Sequence, residues 1–456
     1  MLVWVGCAVL FGALIGRAGW QAWDRNVSSA SAATPDVSAP PPPIDPSRLD
    51  LANPPRSRDR FEAARQRGAA VDPAAPARLV ERFDPAAPER PSASGELRVE
   101  YSLDEALTER VFEVLRRGRV ARGHVIVSDP RSGRLLAYVS TDPEGFPPDR
   151  AYPAASIVKV LTAAALLEEV EPADDPSCVY RGNPYRLNRR RLERPASGRE
   201  ASLERALATS NNQCFSQWAV GVLGQERLVA TLGRFGWLEP PAPGHEAGRV
   251  EPAETKLALG RLGSGLDGLR VTPLHVAQLA SVLTHGNRIE PWWIDRIVDA
   301  QGRSLPLPPR APAQRVLSPE RAELLRSMMI GTTTRGTARS AFRDRRGRPQ
   351  LGAIEVAGKT GNLTGNDPYG RYEWFLGLAP AEDPTIAVVV LQLQSNLWWS
   401  RSSELASEIL RKAFCDRGGC RSELAARWTG DLGAWAAPRL VSDLVNDEFP
   451  GPRSLP

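Results

Sequence analysis

The stretch from Ile157 to Val170 carries apolar side chains on nearly every side of the helix it would form, and no other segment constrains the fold as much. A helix on a protein surface keeps a polar face in water, whereas one apolar all round has to pass through the centre of a domain. Such a helix needs neighbours on all its sides. The chain has the material for them, since 456 residues, 42% of them hydrophobic, can bury one large core or two modest ones.

The flanking segments supply candidates. Helical spacing of Leu103, Leu107, Val111, Val114 and Leu115 predicts a helix over Tyr101 to Arg117. His124 to Asp129 and Leu135 to Val139 are apolar runs joined by the turn residues Asp129-Pro130-Arg131-Ser132-Gly133, which reads as a hairpin buried on both faces. Beyond the central helix, Leu203 to Leu207 and Phe215 to Val222 are helical in pattern. Thr272 and Pro273 open another helix that Gly286 and Asn287 stop, and Ser318-Pro319 repeats the device up to Gly331. Ala353 to Ala357, Tyr372 to Leu378 and Thr385 to Leu393 read as strands, followed by an amphipathic helix from Ser402 to Phe414. Two strands, a helical insert, three strands and a helix give one mixed α+β domain, a mainly antiparallel sheet covered by helices.

Outside that body the sequence changes character. Residues 1–23 hold an apolar run, Met1 to Gly16, followed by Trp20 and Trp23 around Arg17, and are read as a membrane anchor, with a cleaved signal segment as the competitor. Either reading exports the remainder. Residues 24–96 are rich in Pro, Ala, Ser and Arg, including Ala39 to Pro43, and are read as a mostly extended tether; a short helix at Ser57 to Gly68 would have little to pack against. Residues 415–456 are left as a C-terminal tail. The net charge of +5, from 58 basic and 53 acidic residues, is too small and dispersed to argue for nucleic acid.

Five cysteines suit an oxidising compartment in part. Cys415 and Cys420 flank glycines that permit a tight local disulfide, and Cys178 with Cys214 is a weaker candidate pair. Neither they nor the four histidines have metal-ligand spacing. No metal or other cofactor is expected.

Three short motifs carry chemistry. Ser156 and Lys159 lie three residues apart and share a face at the start of the central helix, a hydroxyl beside an amine. Serine attacks a carbonyl only when a neighbour takes its proton, and a lysine does that once burial or another cation depresses its pKa. Ser210-Asn211-Asn212 interrupts a helical pattern, so Ser210 and Asn212 are candidates for proton relay and positioning; the bland reading is a helix cap. Lys359-Thr360-Gly361 follows the strand Ala353 to Ala357, a cation and a hydroxyl suited to a carboxylate where glycine lets a ligand lie close. The chain has only four lysines, Lys159, Lys256, Lys359 and Lys412, among 58 basic residues, yet two of the four occupy these slots. Arginine cannot replace a titratable amine. Gly263 to Gly268 fits a dinucleotide-binding pattern but lacks the flanking strand and helix, and is read as a glycine turn.

Taken in order, Ser-x-x-Lys, Ser-x-Asn and Lys-Thr-Gly resemble the transpeptidase domain of penicillin-binding proteins, a fold shared with serine β-lactamases. Tyr101 to Asp104, His124 to Val139, Leu269 to Leu274, Gly336 to Ala338, Val356 to Gly361 and Trp374 to Pro380 extend the likeness over residues 97–414. The resemblance implies a five-stranded antiparallel sheet with an all-helical subdomain. It implies Ser156 as nucleophile, Lys159 as base, Ser210 and Asn212 as relay, and Lys359, Thr360, Gly361 and Asn362 as substrate-binding residues, with backbone N–H groups of Ser156 and Asn362 as the oxyanion hole. Asn362 departs from the serine or threonine common at its position. The substrate implied is the D-alanyl-D-alanine end of peptidoglycan stem peptides, with β-lactams as inhibitors, other cell-wall synthesis proteins as partners, and an extracytoplasmic, membrane-anchored location or a secreted one. Transfer to an amine makes a D,D-transpeptidase and transfer to water a carboxypeptidase. A β-lactamase would need an activated water, for which no Glu-x-x-Leu-Asn segment is present. A penicillin-sensing scaffold is the non-enzymatic alternative.

Overall fold

Helix α1 (Arg58–Arg65) starts where Ser57 Oγ accepts a hydrogen bond from Arg60 N, and it buries Phe61 completely against Phe112, ring centroids 5.3 Å apart. Strands β1 (Arg78–Asp84), β2 (Ala87–Pro91) and β3 (Leu97–Asp104) follow, with β1 antiparallel to β3 through Val80↔Glu100 and Phe83↔Leu97. The computed structural model describes residues 49, 53–67, 77–92, 94–170, 176–395 and 399–429. Much of the expected tether is therefore folded, and the body begins well before Leu97. Leu79, Val80 and Phe83 are buried, so three apolar side chains in one short strand outweigh the Pro and Ala around them. The expected anchor, residues 1–23, lies outside the described residues; among those described, no helix is long and apolar enough to cross a membrane.

Helix α2 (Glu105–Arg117) begins four residues later than its periodicity predicts. Tyr101 to Asp104 belong to β3, where Tyr101 pairs with Ile294 and donates its hydroxyl to Glu81, and Asp104 caps the helix by accepting from Leu107 N at 2.6 Å. Leu103 is apolar because the strand buries it, not because a helix face does. Strands β4 (Gly123–Asp129) and β5 (Arg134–Ser140) form the expected hairpin, every residue of both buried.

The central helix α3 (Lys159–Glu169) continues a 3-10 turn, Ala155–Val158, and buries each residue from Lys159 to Leu167. It packs against α4 (Leu203–Ala208), α5 (Asn212–Trp218), α6 (Gly224–Arg234), α7 (Lys256–Ser264) and the later helix Pro319–Thr334, and the short hairpin of β6 (Ser177–Tyr180) and β7 (Arg199–Ser202) interrupts this helical subdomain. Each fully buried Leu or Val contributes about 1.5–3 kcal/mol, and that is why an all-round apolar helix settles here. Helix α8 (Pro273–His285) is capped by Thr272 and ended by Gly286 in the left-handed region, and α9 (Pro319–Thr334) by Ser318.

Strands β8 (Ile294–Val298) and β9 (Ser304–Leu305) complete an outer sheet of order β9-β8-β3-β1-β2. Three long later strands, β10 (Ala357–Asn366), β11 (Tyr369–Ala379) and β12 (Ile386–Gln394), join the β4–β5 hairpin in a five-stranded antiparallel sheet, β10-β11-β12-β4-β5, with β10 at its edge. The strand expected at Ala353 to Ala357 is displaced: it starts at Ala357, and Lys359-Thr360-Gly361 lies inside it, paired with Leu376, Phe375 and Trp374. Helix α10 (Ser402–Phe414) packs on the sheet.

Residues 415–429 are not a free tail. Cys415 and Cys420 are disulfide-bonded, Trp428 is buried, and its carbonyl accepts from Arg134 Nη1 at 3.1 Å. Residues 430–456 of the expected tail lie outside the described residues.

Candidate active site

Ser156 sits in the turn that leads into α3. The residue before it, Ala155, has φ +48°, a left-handed value that costs a side-chain-bearing residue roughly 1–3 kcal/mol and persists only when its surroundings enforce it. They do: a Cβ on Gly265, itself at φ +70°, would stand 2.0 Å from the Ala155 carbonyl oxygen, so the glycine lets the α7 terminus press against this turn. Gly361 does the same from β10, where an added Cβ would meet Ile157 and Trp374 at 3.2 Å. Two glycines from distant segments thus fix the backbone around Ser156.

Lys159 is fully buried and its Nζ touches three groups: Ser156 Oγ at 2.7 Å, Asn212 Oδ1 at 2.8 Å, and the Ser264 carbonyl. Two of these are carbonyl oxygens and only accept. A neutral amine has two N–H donors and one lone pair, so donation to Asn212 and Ser264 leaves the lone pair directed at the Ser156 hydroxyl. Burial pushes the Lys159 amine well below the usual ammonium range, and the nearby Lys359 charge pushes it the same way. Geometry and electrostatics both favour the neutral amine beside the serine.

Asn212 is held in turn, donating its Nδ2 to the Tyr185 carbonyl at 2.8 Å. The capping that Ser and Asn favour falls to Asn211, whose side chain accepts from Gln213 N and Cys214 N. Cys214, two residues past Asn212, is disulfide-bonded to Cys178. The cap therefore falls to Asn211, while the adjacent Asn212 turns its side chain to Lys159. Ser210 adopts φ +55°, and its Oγ accepts from Lys359 Nζ at 3.0 Å. Lys359 is fully buried as well, donates also to the Thr360 carbonyl at 2.8 Å, and is lowered by burial to about 7. These two bonds tie Ser210 to the strand that carries Thr360.

The open space above these groups is a cleft of about 630 Å3 whose walls include Ser156, Ser210, Asn212, Thr360, Gly361 and Asn362. Thr360 and Asn362 alternate onto one face of β10. Thr360 Oγ1 is 2.6 Å from Thr337 Oγ1, and Asn362 Oδ1 accepts from Arg371 Nε at 2.9 Å. Because β10 is an edge strand, its outer backbone groups suit an extended ligand added as one more strand. Sequence reasoning missed the Ser264 and Tyr185 carbonyls and the pairing of Thr337 with Thr360. Backbone acceptors carry no residue signature, although Gly265 marked the turn that brings Ser264 in. Among the described residues no group of three or more His, Cys, Asp or Glu side chains is placed to hold a metal ion.

A five-stranded antiparallel sheet, a helical subdomain and a buried serine–lysine pair between them define the class of proteins built on a Ser-x-x-Lys centre. Residues 123–414 match the penicillin binding protein transpeptidase domain, and the chain belongs to that family. Similar proteins include the peptidoglycan D,D-transpeptidase PbpA of Mycolicibacterium smegmatis, 25% identical over 312 residues that cover 59% of this chain and 61% of that protein. Stage V sporulation protein D of Bacillus subtilis is 26% identical over 306 residues, 58% of this chain and 44% of that one. The chain thus spans about three fifths or less of these curated relatives. Among solved structures, PBPA from Mycobacterium tuberculosis superposes with a TM-score of 0.58 at 21% identity, covering 69% of this chain and 81% of that one. Its ceftriaxone acyl-enzyme complex gives 0.57 at 21% identity, covering 70% and 80%. At these identities the structural likeness establishes the fold.

Proposed function

We propose that the protein is a serine-type peptidoglycan D,D-transpeptidase that acylates itself at Ser156. The observation that carries this reading is the 2.7 Å approach of a desolvated Lys159 Nζ, with both its N–H groups occupied, to the Ser156 hydroxyl. Ser156 Oγ attacks the carbonyl carbon of the penultimate D-alanine while its proton passes to Lys159 Nζ. The C–N bond then breaks, and the departing D-alanine amine takes up a proton through Ser210, which Lys359 holds in place. An amine of a neighbouring stem peptide attacks the ester and restores Ser156. Thr360 and Asn362 on the edge strand hold the substrate, and a penicillin enters the same cleft and stays as a stable ester. Two disulfides, Cys178–Cys214 and Cys415–Cys420, support an extracytoplasmic location, with residues 1–23 as the proposed anchor.

The test combines mass spectrometry of penicillin-treated protein with product analysis on a pentapeptide strand. An adduct on Ser156, lost in Ser156→Ala, together with cross-linked product supports the proposal. D-alanine release without cross-links would make the protein a carboxypeptidase, and an adduct without any turnover would make it a sensor.

A further inference from the structure

The hairpin of β6 and β7 stands at the rim of the cleft and is loaded with one sign of charge. Between Arg181 and Arg199 the sequence holds seven arginines against a single glutamate, Glu193. Four of the seven shape the loop by donating to its own carbonyls: Arg181 to Ser197, Arg191 to Asn183 and Arg186, Arg194 to Ser177, and Arg199 to Gly182. Arg186, Arg189 and Arg190 are exposed and spend their guanidinium groups on none of these bonds. The loop is also tied to the catalytic framework. Cys178 is bonded to Cys214 on α5, Gln213 Nε2 donates to the Arg181 and Asn183 carbonyls, and the Tyr185 carbonyl accepts from Asn212. Tyr185, 51% exposed, forms part of the cleft wall immediately beside Arg186.

We propose that Arg186, Arg189 and Arg190 form an exosite for the carboxylates of the peptidoglycan strand whose stem peptide occupies the cleft. This rests on the function proposed above. The surface runs on from the cleft wall at Tyr185, so its occupant is the part of the same molecule that remains outside. That molecule is a glycan polymer carrying acidic stem peptides, and guanidinium groups meet carboxylates in paired hydrogen bonds. A small ligand that fills only the cleft does not reach the patch. The hairpin's rigidity matters here, because a loop already pinned by four arginines and a disulfide loses little freedom on binding.

The test uses the full chain and the triple variant Arg186→Gln, Arg189→Gln, Arg190→Gln. Fluorescent penicillin is expected to label variant and parent at rates within two-fold, which also shows that the variant folds. On an uncross-linked strand with free stem carboxylates the variant's KM is expected to rise about ten-fold, the sum of three exposed charge contacts, with kcat little changed. Amidating those carboxylates is expected to remove the parent's advantage. Equal KM values for the two chains on the free-carboxylate strand, or undiminished parent affinity after amidation, overturn the exosite. Co-sedimentation of the strand with Ser156→Ala chain, with and without the three substitutions, reads binding apart from turnover. Failure of the parent to take up penicillin would therefore sink the activity while strand binding still decides the exosite. Competition by inorganic polyphosphate without any effect of amidation would assign the patch to phosphate and reject the proposal.

Discussion

Replacing Lys159 by arginine keeps a cation three residues after the nucleophile but removes the one property the geometry requires. A guanidinium has no lone pair to accept the Ser156 proton and does not deprotonate in a protein. Loss of a positioned base costs on the order of 10²–10⁴ in rate, or about 2.7–5.4 kcal/mol of barrier at 1.36 kcal/mol per decade. Two structural costs add to this. Lys159 is fully buried, so the larger head must displace Asn212, whose Oδ1 is 2.8 Å from Nζ, or the Ser264 carbonyl, an overpacking worth about 1–3 kcal/mol. The permanent charge would also lie near Lys359 without water to screen it. The second-order rate of fluorescent penicillin uptake, followed on a gel at neutral pH, is expected to fall at least 10³-fold, with circular dichroism confirming that the chain is folded. Uptake within ten-fold of the parent would refute the assignment of Lys159 as base, whatever the fate of Ser156.

Three further outcomes follow from the same geometry. Lys159 works only when unprotonated, so acylation is lost as pH falls through its pKa; Lys359→Met removes the charge that helps hold that pKa down, and the acid limb of the pH–rate profile is expected to move to higher pH, an unmoved midpoint counting against the coupling. Gly265→Ala puts a methyl group 2.0 Å from the Ala155 carbonyl and strains a left-handed position, so thermal unfolding should report a loss above about 2 kcal/mol and acylation should slow, whereas a neutral substitution would deny that Gly265 props the nucleophile turn. Phe61→Ala empties a fully buried site between α1 and α2 and is expected to cost about 3–5 kcal/mol by denaturant titration; a cost below 1 kcal/mol would restore the view of this region as a loose tether.

Much of the candidate site was legible because its chemistry restricts residue type. Ser156 and Lys159 share a helix face by local spacing alone, and an arginine-rich chain that keeps lysine at 159 and 359 marks both slots. The errors came where one apolar pattern serves two structures. Leu103 and Leu107 fit a helical stripe, yet Leu103 is buried by strand pairing with the residues around Ile294, nearly two hundred positions away. Pro and Ala around Leu79 and Phe83 looked like linker because their partner strand, β3, lies across a gap the local window does not register. Lys359-Thr360-Gly361 fell inside a strand instead of after it, since its pairing with β11 extends the strand well beyond the apolar run.

The sequence by itself determined that a central helix must be enclosed, that a hydroxyl and an amine lie together at its start, and that a second lysine stands near a glycine further on. Those are consequences of side-chain type and of spacings of three or four residues, which the backbone enforces without help. Only the tertiary structure decided that the Lys159 amine is pushed well below its usual range, because that depends on burial, on the Ser264 and Asn212 oxygens around its Nζ, and on the charge of Lys359, all brought from elsewhere in the chain. Desolvation belongs to the packed assembly and to no residue alone, so of four lysines that look alike in the sequence, Lys159 and Lys359 become fully buried once the core closes around them while Lys256 stays exposed and Lys412 half-buried.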